Sequence, residues 1–184
     1  MMSNKAHGMT RRGQKKKQGG FTAIEVMVVI IIGIVIYALS TGKLSQLFGK
    51  SNVSEEISNV NTLLANTKQM KTTSGYGASG TNLVPQLISA GGVPPNVSVI
   101  GGVLYNTWGG AITIVSTGAG FTIQQATVPQ DACIAMVTKI AKGGAFFSTK
   151  VNAATAVTGE YTTAQANTDC TSATSNTTLW TSNS

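Results

Sequence analysis

The sequence predicts an α+β fold: a long N-terminal α-helix packed on an antiparallel β-sheet, with a disulfide-closed C-terminal region. Three observations predict it. A membrane-length apolar run over residues 26–39 is followed by an amphipathic helical stripe over residues 53–70. Segments of alternating apolar and polar residues then recur at 97–100, 111–115 and 121–125. The only two cysteines, Cys133 and Cys170, both lie beyond the apolar run.

Charge has to be read in two parts. The formal net charge is +7, but six of the thirteen basic residues (Lys5, Arg11, Arg12, Lys15, Lys16, Lys17) fall in the first twenty positions, where there is no acid. The remainder carries seven lysines against six acids, a net of 7 − 6 = +1. The basic character therefore belongs to a targeting segment, and a nucleic-acid-binding surface loses its main support. Basic residues beside an apolar span stay on the cytoplasmic side, so the chain beyond the span is exported.

Seventeen uncharged residues separate Glu25 from Lys43, and residues 21–24 extend the apolar stretch in front. That is enough for a helix to cross a hydrocarbon core. Gly33 and Gly42 are small positions at which helices approach closely. An ordinary secretory signal would place its cleavage site after the apolar run, where Ala38-Leu39-Ser40 stands. Glu25 inside the segment, and Gly19-Gly20 before it rather than after it, argue against that reading. Thr22-x-x-Glu25 fits a capping box, with an acid at the positive end of the helix dipole. That local role suffices for a subunit lying alone in a membrane. Packed among apolar helices, an unpaired carboxylate costs several kcal/mol and needs a cation.

The stripe Val53, Ile57, Val60, Leu64 and Thr67, widened by Leu63 and Met70, should rest on a globular domain. Glu55, Glu56, Asn59, Lys68 and Lys71 are expected on the solvated side. Span and stripe together suggest one helix over residues 21–71, about 75 Å long. Gly42, Gly49 and a second capping pattern at Asn52-x-x-Glu55 make residues 40–52 its weakest part. A curved continuous helix and two helices joined by an unwinding stretch are both open readings. Residues 40–50 are the segment expected to lose helical hydrogen bonds and extend.

Beyond residue 71 a Gly/Ser/Thr loop leads to a short helix at 83–89, stopped by Gly91-Gly92. The strand candidates come next, the last two joined by a turn at 116–120, and their alternation implies one buried face. Residues 130–142 read as a second helix presenting Ile134, Val137 and Ile140. The Thr/Ala/Asn/Ser-rich remainder offers only a possible strand at 177–180. Cys133 and Cys170 lie where disulfides persist, and a bridge would hold this region to the second helix.

Catalytic and metal chemistry find little support. The only histidine, His7, precedes the apolar run, and two thiolates without further ligands make an incomplete zinc site. No carboxylate pair has catalytic spacing, and the Gly-Gly doublets at 91, 101, 109 and 143 read as turns. Neither an enzymatic activity, a cofactor nor a metal is expected. Asn106-Thr107-Trp108-Gly109-Gly110 reads as a tight turn with Trp108 packed in the core.

The order Lys15-Lys16-Lys17-Gln18-Gly19-Gly20-Phe21-Thr22-Ala23-Ile24-Glu25, running into the apolar segment, resembles the leader of type IV prepilins. A twenty-residue leader, the Asn-Thr-Trp-Gly-Gly turn, the Ile-Thr-Ile-Val strand and Val128-Pro129-Gln130-Asp131-Ala132-Cys133 are similar to the type IVb branch, which includes conjugative thin-pilus and enteric pilins. Two departures are Thr107, where the family more often has proline, and Phe21, more typical of the other class. The resemblance implies a leader at 1–20, an apolar membrane and assembly half-helix at 21–52, and a globular pilin domain at 53–184. It implies cleavage between Gly20 and Phe21, N-methylation of Phe21, and assembly through Glu25 paired with the Phe21 amine of a neighbour. It also implies a homo-oligomeric filament, a prepilin peptidase/N-methyltransferase, an assembly platform, a motor ATPase acting indirectly and an outer-membrane secretin. The precursor would sit in the bacterial inner membrane and the product in an extracellular pilus serving adhesion, aggregation or conjugation. A type II secretion pseudopilin, a minor pilin or tip adhesin, and a single-pass membrane-anchored periplasmic binding protein are the alternatives.

Overall fold

The computed structural model describes Ile24, residues 26–28, Ile30 and residues 43–183, with side chains of the main body from Ser51 onward. The chain divides into two compact units, Met1–Leu44 and Ser45–Ser184. In the first, the described residues are helical, and Ile24, Val26, Met27, Val28 and Ile30 are all exposed. Among the described residues no helix is long and apolar enough to cross a membrane. The expected span, residues 21–39, lies mostly outside them, as do Gly20, Phe21 and Glu25.

Helix α1 (Lys43–Gln69) runs through Gly49 and Asn52 without a break, so the capping pattern at Asn52 starts no helix. Its end tightens through i→i−3 bonds, Met70 N to Thr67 O (3.0 Å) and Lys71 N to Lys68 O (3.3 Å). Val53, Val60, Leu63, Leu64 and Thr67 are buried as their spacing requires. Two residues assigned to the solvated side are not there: Glu56 and Asn59 are buried. A short helix α2 (Val84–Ser89) comes next, with proline in its first turn, where no amide donor is needed.

Seven antiparallel strands form one sheet in the order β1-β2-β3-β4-β7-β5-β6. They are β1 (Ser98–Ile100), β2 (Val103–Tyr105), β3 (Ala111–Ser116), β4 (Phe121–Val128), β5 (Ser148–Val151), β6 (Val157–Thr158) and β7 (Asn176–Ser182). The β3–β4 hairpin has the expected bounds within a few residues, and Ile112, Ile114, Phe121 and Ile123 face the core. A register shift between Gln125 and Val128, with Thr127 at φ 55°, lets both ends of β4 bury the same face.

The C-terminal strand is not peripheral: β7 lies between β4 and β5, burying Asn176, Thr178, Trp180 and Ser182 at alternate positions. Helix α3 (Gln130–Lys142) packs on β5 and β7 through Cys133, Met136, Val137 and Ile140. Helix α4 (Thr163–Asp169), with a Thr162/Gln165 capping box, forms in a stretch where no helix is expected from the sequence. The buried stripe of α1, the inward face of the sheet and α3 share one core, in which Tyr76 meets Phe121 edge-on at 4.9 Å.

Candidate functional site

The distinctive chemistry of the globular unit is a buried carboxylate. Glu56 falls three residues after Val53 and four before Val60, so it rides on the apolar stripe of α1 and is 0% exposed. Its Oε1 accepts from Gln125 Nε2 of β4 at 2.7 Å. Its Oε2 accepts from Thr107 Oγ1 (2.7 Å), Thr107 N (3.2 Å) and Asn59 Nδ2 (3.4 Å). These donors are all neutral. The carboxylate thus joins α1, the central strand β4 and the 106–110 turn at one point, and buried polar groups persist only when bonded in this way.

The turn is built to present Thr107. Asn106 Oδ1 accepts from Trp108 N (3.1 Å) and Gly110 N (2.8 Å), and Asn106 N donates to Gly110 O (2.8 Å). Asn106 Nδ2 reaches Ala126 O in the β4 bulge at 2.8 Å. Gly109 sits at φ 76°, and a Cβ on Gly110 would come within 1.8 Å of Ala126 O, so both glycines are required by geometry. Trp108 is half-buried against the core, in agreement with a structural turn. Further bonds hold α1 to the stretch before β1: Asn96 Nδ2 donates to Glu55 Oε1 (2.9 Å) and Asn66 Nδ2 to Gly92 O (2.8 Å).

The second organised centre is the C-terminal closure. Cys133 and Cys170 form a disulfide with Cα atoms 6.1 Å apart, joining α3 to the end of α4. Asn176 gathers this region: its Nδ2 donates to Val128 O (3.0 Å) and Ser172 O (2.6 Å), and its Oδ1 accepts from Ser172 N and Asn152 Nδ2 (both 3.0 Å). The Tyr161 hydroxyl donates to the Asp169 carboxylate. Burial, then that hydrogen bond and the negative charge of Asp169, push the Tyr161 hydroxyl well above the ordinary phenol value. Among the described residues no group of His, Cys, Asp or Glu could hold a metal ion.

Of the residues singled out from sequence, the structure brings together Cys133 and Cys170; Gly20, Phe21 and Glu25 lie outside the described residues. Glu56, Asn59 and Gln125 were the residues sequence reasoning missed. The signal for Glu56 was its place in the stripe, masked by the ordinary expectation that a helical acid is solvated.

A helix laid on an antiparallel sheet, with a disulfide closing the C-terminal region, defines a type IV pilin fold. The crystal structure of a type IV b pilin from Salmonella typhi matches with a TM-score of 0.61 at 29% identity, covering 71% of this chain and 99% of that one. TcpA, a type IV pilin from Vibrio cholerae El Tor biotype, matches at 0.54 and 15% identity over 71% of this chain and 98% of that one, a likeness of fold alone. No curated protein matches the chain in sequence. The family model described as PilS N terminal matches residues 50–183, and the chain belongs to this family, the PilS type IVb pilins. Pilins of this family and fold are structural subunits rather than enzymes.

Proposed function

We propose that this chain is the major structural subunit of a type IVb-like pilus. It is made as an inner-membrane precursor with its N-terminus cytoplasmic, cut between Gly20 and Phe21 by a prepilin peptidase, and N-methylated at Phe21. An assembly platform, a motor ATPase acting indirectly and an outer-membrane secretin then build it into an extracellular fibre for adhesion, aggregation or conjugation. The observation that carries this reading is the PilS match over residues 50–183 standing behind the basic leader, Gly20-Phe21 junction, Glu25 and apolar run of the first 39 residues.

Growth is driven by helix packing. Ile24, Val26, Met27, Val28 and Ile30 are helical and without cover in the single chain, and neighbouring helices replace lipid around them. Cleavage creates the Phe21 amine, the cation that Glu25 needs when packed among apolar helices, and the pair fixes the axial register of each arriving subunit. Residues 40–50, which hold Gly42 and Gly49, are where the helix extends as the fibre forms.

Glu25→Val tests the mechanism. The variant should be processed normally, with Phe-Thr-Ala-Ile at its N-terminus, and should yield few or no surface fibres by electron microscopy. Normal fibres from this variant would remove the Glu25–Phe21 pair, and an uncut chain in the unsubstituted strain would remove the pilin processing route.

A further inference from the structure

Four large apolar side chains of the globular unit stand exposed among the described residues, and they form two groups. Val99, Ile100 and Val103 flank the Gly101-Gly102 turn of the β1–β2 hairpin, with Ile100 66% exposed; Phe147, 53% exposed, immediately precedes β5. β1 is one edge of the sheet, and β5 lies next to the opposite edge, β6. β1 is a short edge strand with exposed apolar residues and none of the charged side chains that commonly guard an edge. Such a surface marks a contact.

Charge distinguishes the two groups. Glu55, half-buried and tied to the entry of β1 through Asn96, is the only charge outside the core in residues 51–66 and 92–110. Around Phe147 the charge is mainly positive. Lys68 is the charged residue lining a depression of about 540 Å³ with Phe146, Phe147, Thr158 and Asn183, and Lys142 lies two residues before its Gly144 wall; Glu160, next to Gly159, is the one acid beside it.

We propose that the β1–β2 hairpin tip of one copy seats against Phe147 and the depression beside Lys68 of a second copy. An apolar knob whose nearest charge outside the core is the Glu55 carboxylate, and an apolar seat whose lining charge is Lys68, stand near opposite sheet edges and are complementary to each other and not to themselves. The contact is therefore heterologous, and repeating it generates an open helical array rather than a closed dimer. It rests on the filament reading above, and it assigns the lateral contact between globular units while residues 21–39 form the spine. The charges select which edge meets which, and the apolar side chains supply the affinity.

The test uses full-length chains in cells. Ile100→Cys and Phe147→Cys variants, carrying tags of different size, are co-expressed with the unsubstituted chain, so that fibre formation does not depend on them. Sheared fibres are treated with a short bismaleimide. The expected product is a mixed dimer of the two variants, absent when either is expressed without the other. Fibres without the mixed dimer overturn the contact; so does a dimer from Ile100→Cys alone, which would mean a self-matching interface. Absence of fibres from the unsubstituted chain overturns instead the filament reading beneath it. In a second arm, Ile100→Asp and Phe147→Asp, each expressed alone, should keep the membrane pool of subunit and lose surface fibres. Normal fibre numbers from both would also overturn the contact.

Discussion

Removing the Glu56 carboxylate should destabilise the globular unit by about 2–5 kcal/mol, a large share of a typical domain's 5–15 kcal/mol. Glu56→Ala leaves Gln125 Nε2 without its 2.7 Å acceptor in a residue that is 0% exposed. A stranded buried donor costs about 1–3 kcal/mol, and the vacated side-chain volume adds about 1–2 kcal/mol. Thr107 contributes less, because it is exposed and its amide and hydroxyl can turn to water. Glu56→Gln is the sensitive control. One amide oxygen can replace one carboxylate oxygen, but the amide nitrogen faces a donor. Rotating the Gln125 amide turns its Oε1, which has no hydrogen-bond partner in the native arrangement, toward that nitrogen and leaves Nε2 as the unpaired atom in its place. The loss for Glu56→Gln should therefore be about 1 kcal/mol. Urea unfolding of the detergent-solubilised chain, followed by tryptophan fluorescence, measures both through midpoint shifts at constant slope. A double-mutant cycle with Gln125→Ala should return a coupling of about 1.5–3 kcal/mol. Equal losses for the alanine and glutamine variants, or a coupling near zero, would refute the idea that this carboxylate holds the helix to the sheet.

Two further outcomes can be measured on the same material. Cys133→Ser/Cys170→Ser should lose about 4 kcal/mol by the chain-entropy argument for a bridge spanning 37 residues, seen as a lower urea midpoint. The raised Tyr161 hydroxyl sets a sign at alkaline pH: the unfolded chain releases this proton near pH 10 and the folded chain only at higher pH. Its contribution is complete below about pH 10 and falls as pH rises through the folded value. The stability curve of Tyr161→Phe should accordingly drop less steeply than the native one above about pH 10, by at most about 1.4 kcal/mol per pH unit. Parallel curves for the two proteins would remove Tyr161 from the alkaline transition.

Local pattern was legible wherever one residue type had one physical reason to be where it is. The 3.6-residue spacing of Val53, Val60, Leu64 and Thr67 located the buried face of α1, and alternation located β3 and β4 with their turn. β5, β6 and α4 were not legible, because Thr, Ala and Asn carry weak preferences and their partners are distant: β7 pairs with β5, β5 with β6, and α4 packs on α3 beside the disulfide. Glu56 was misread for a related reason: its partners, Thr107 and Gln125, are 51 and 69 residues away, beyond any local window.

By itself the sequence determined the order of a basic segment before an apolar run, the division of charge at Gly20-Phe21, the α+β class and the one possible disulfide pair, because each depends on residue identity and short spacing. Only the tertiary structure decided that β7 fills the middle of the sheet, that a carboxylate is buried under α1, and that apolar surface stands near both edges. These depend on which distant segments meet. Strand order and the burial of a charge are set by the free energy of contacts across the whole fold, and no stretch of chain carries them alone.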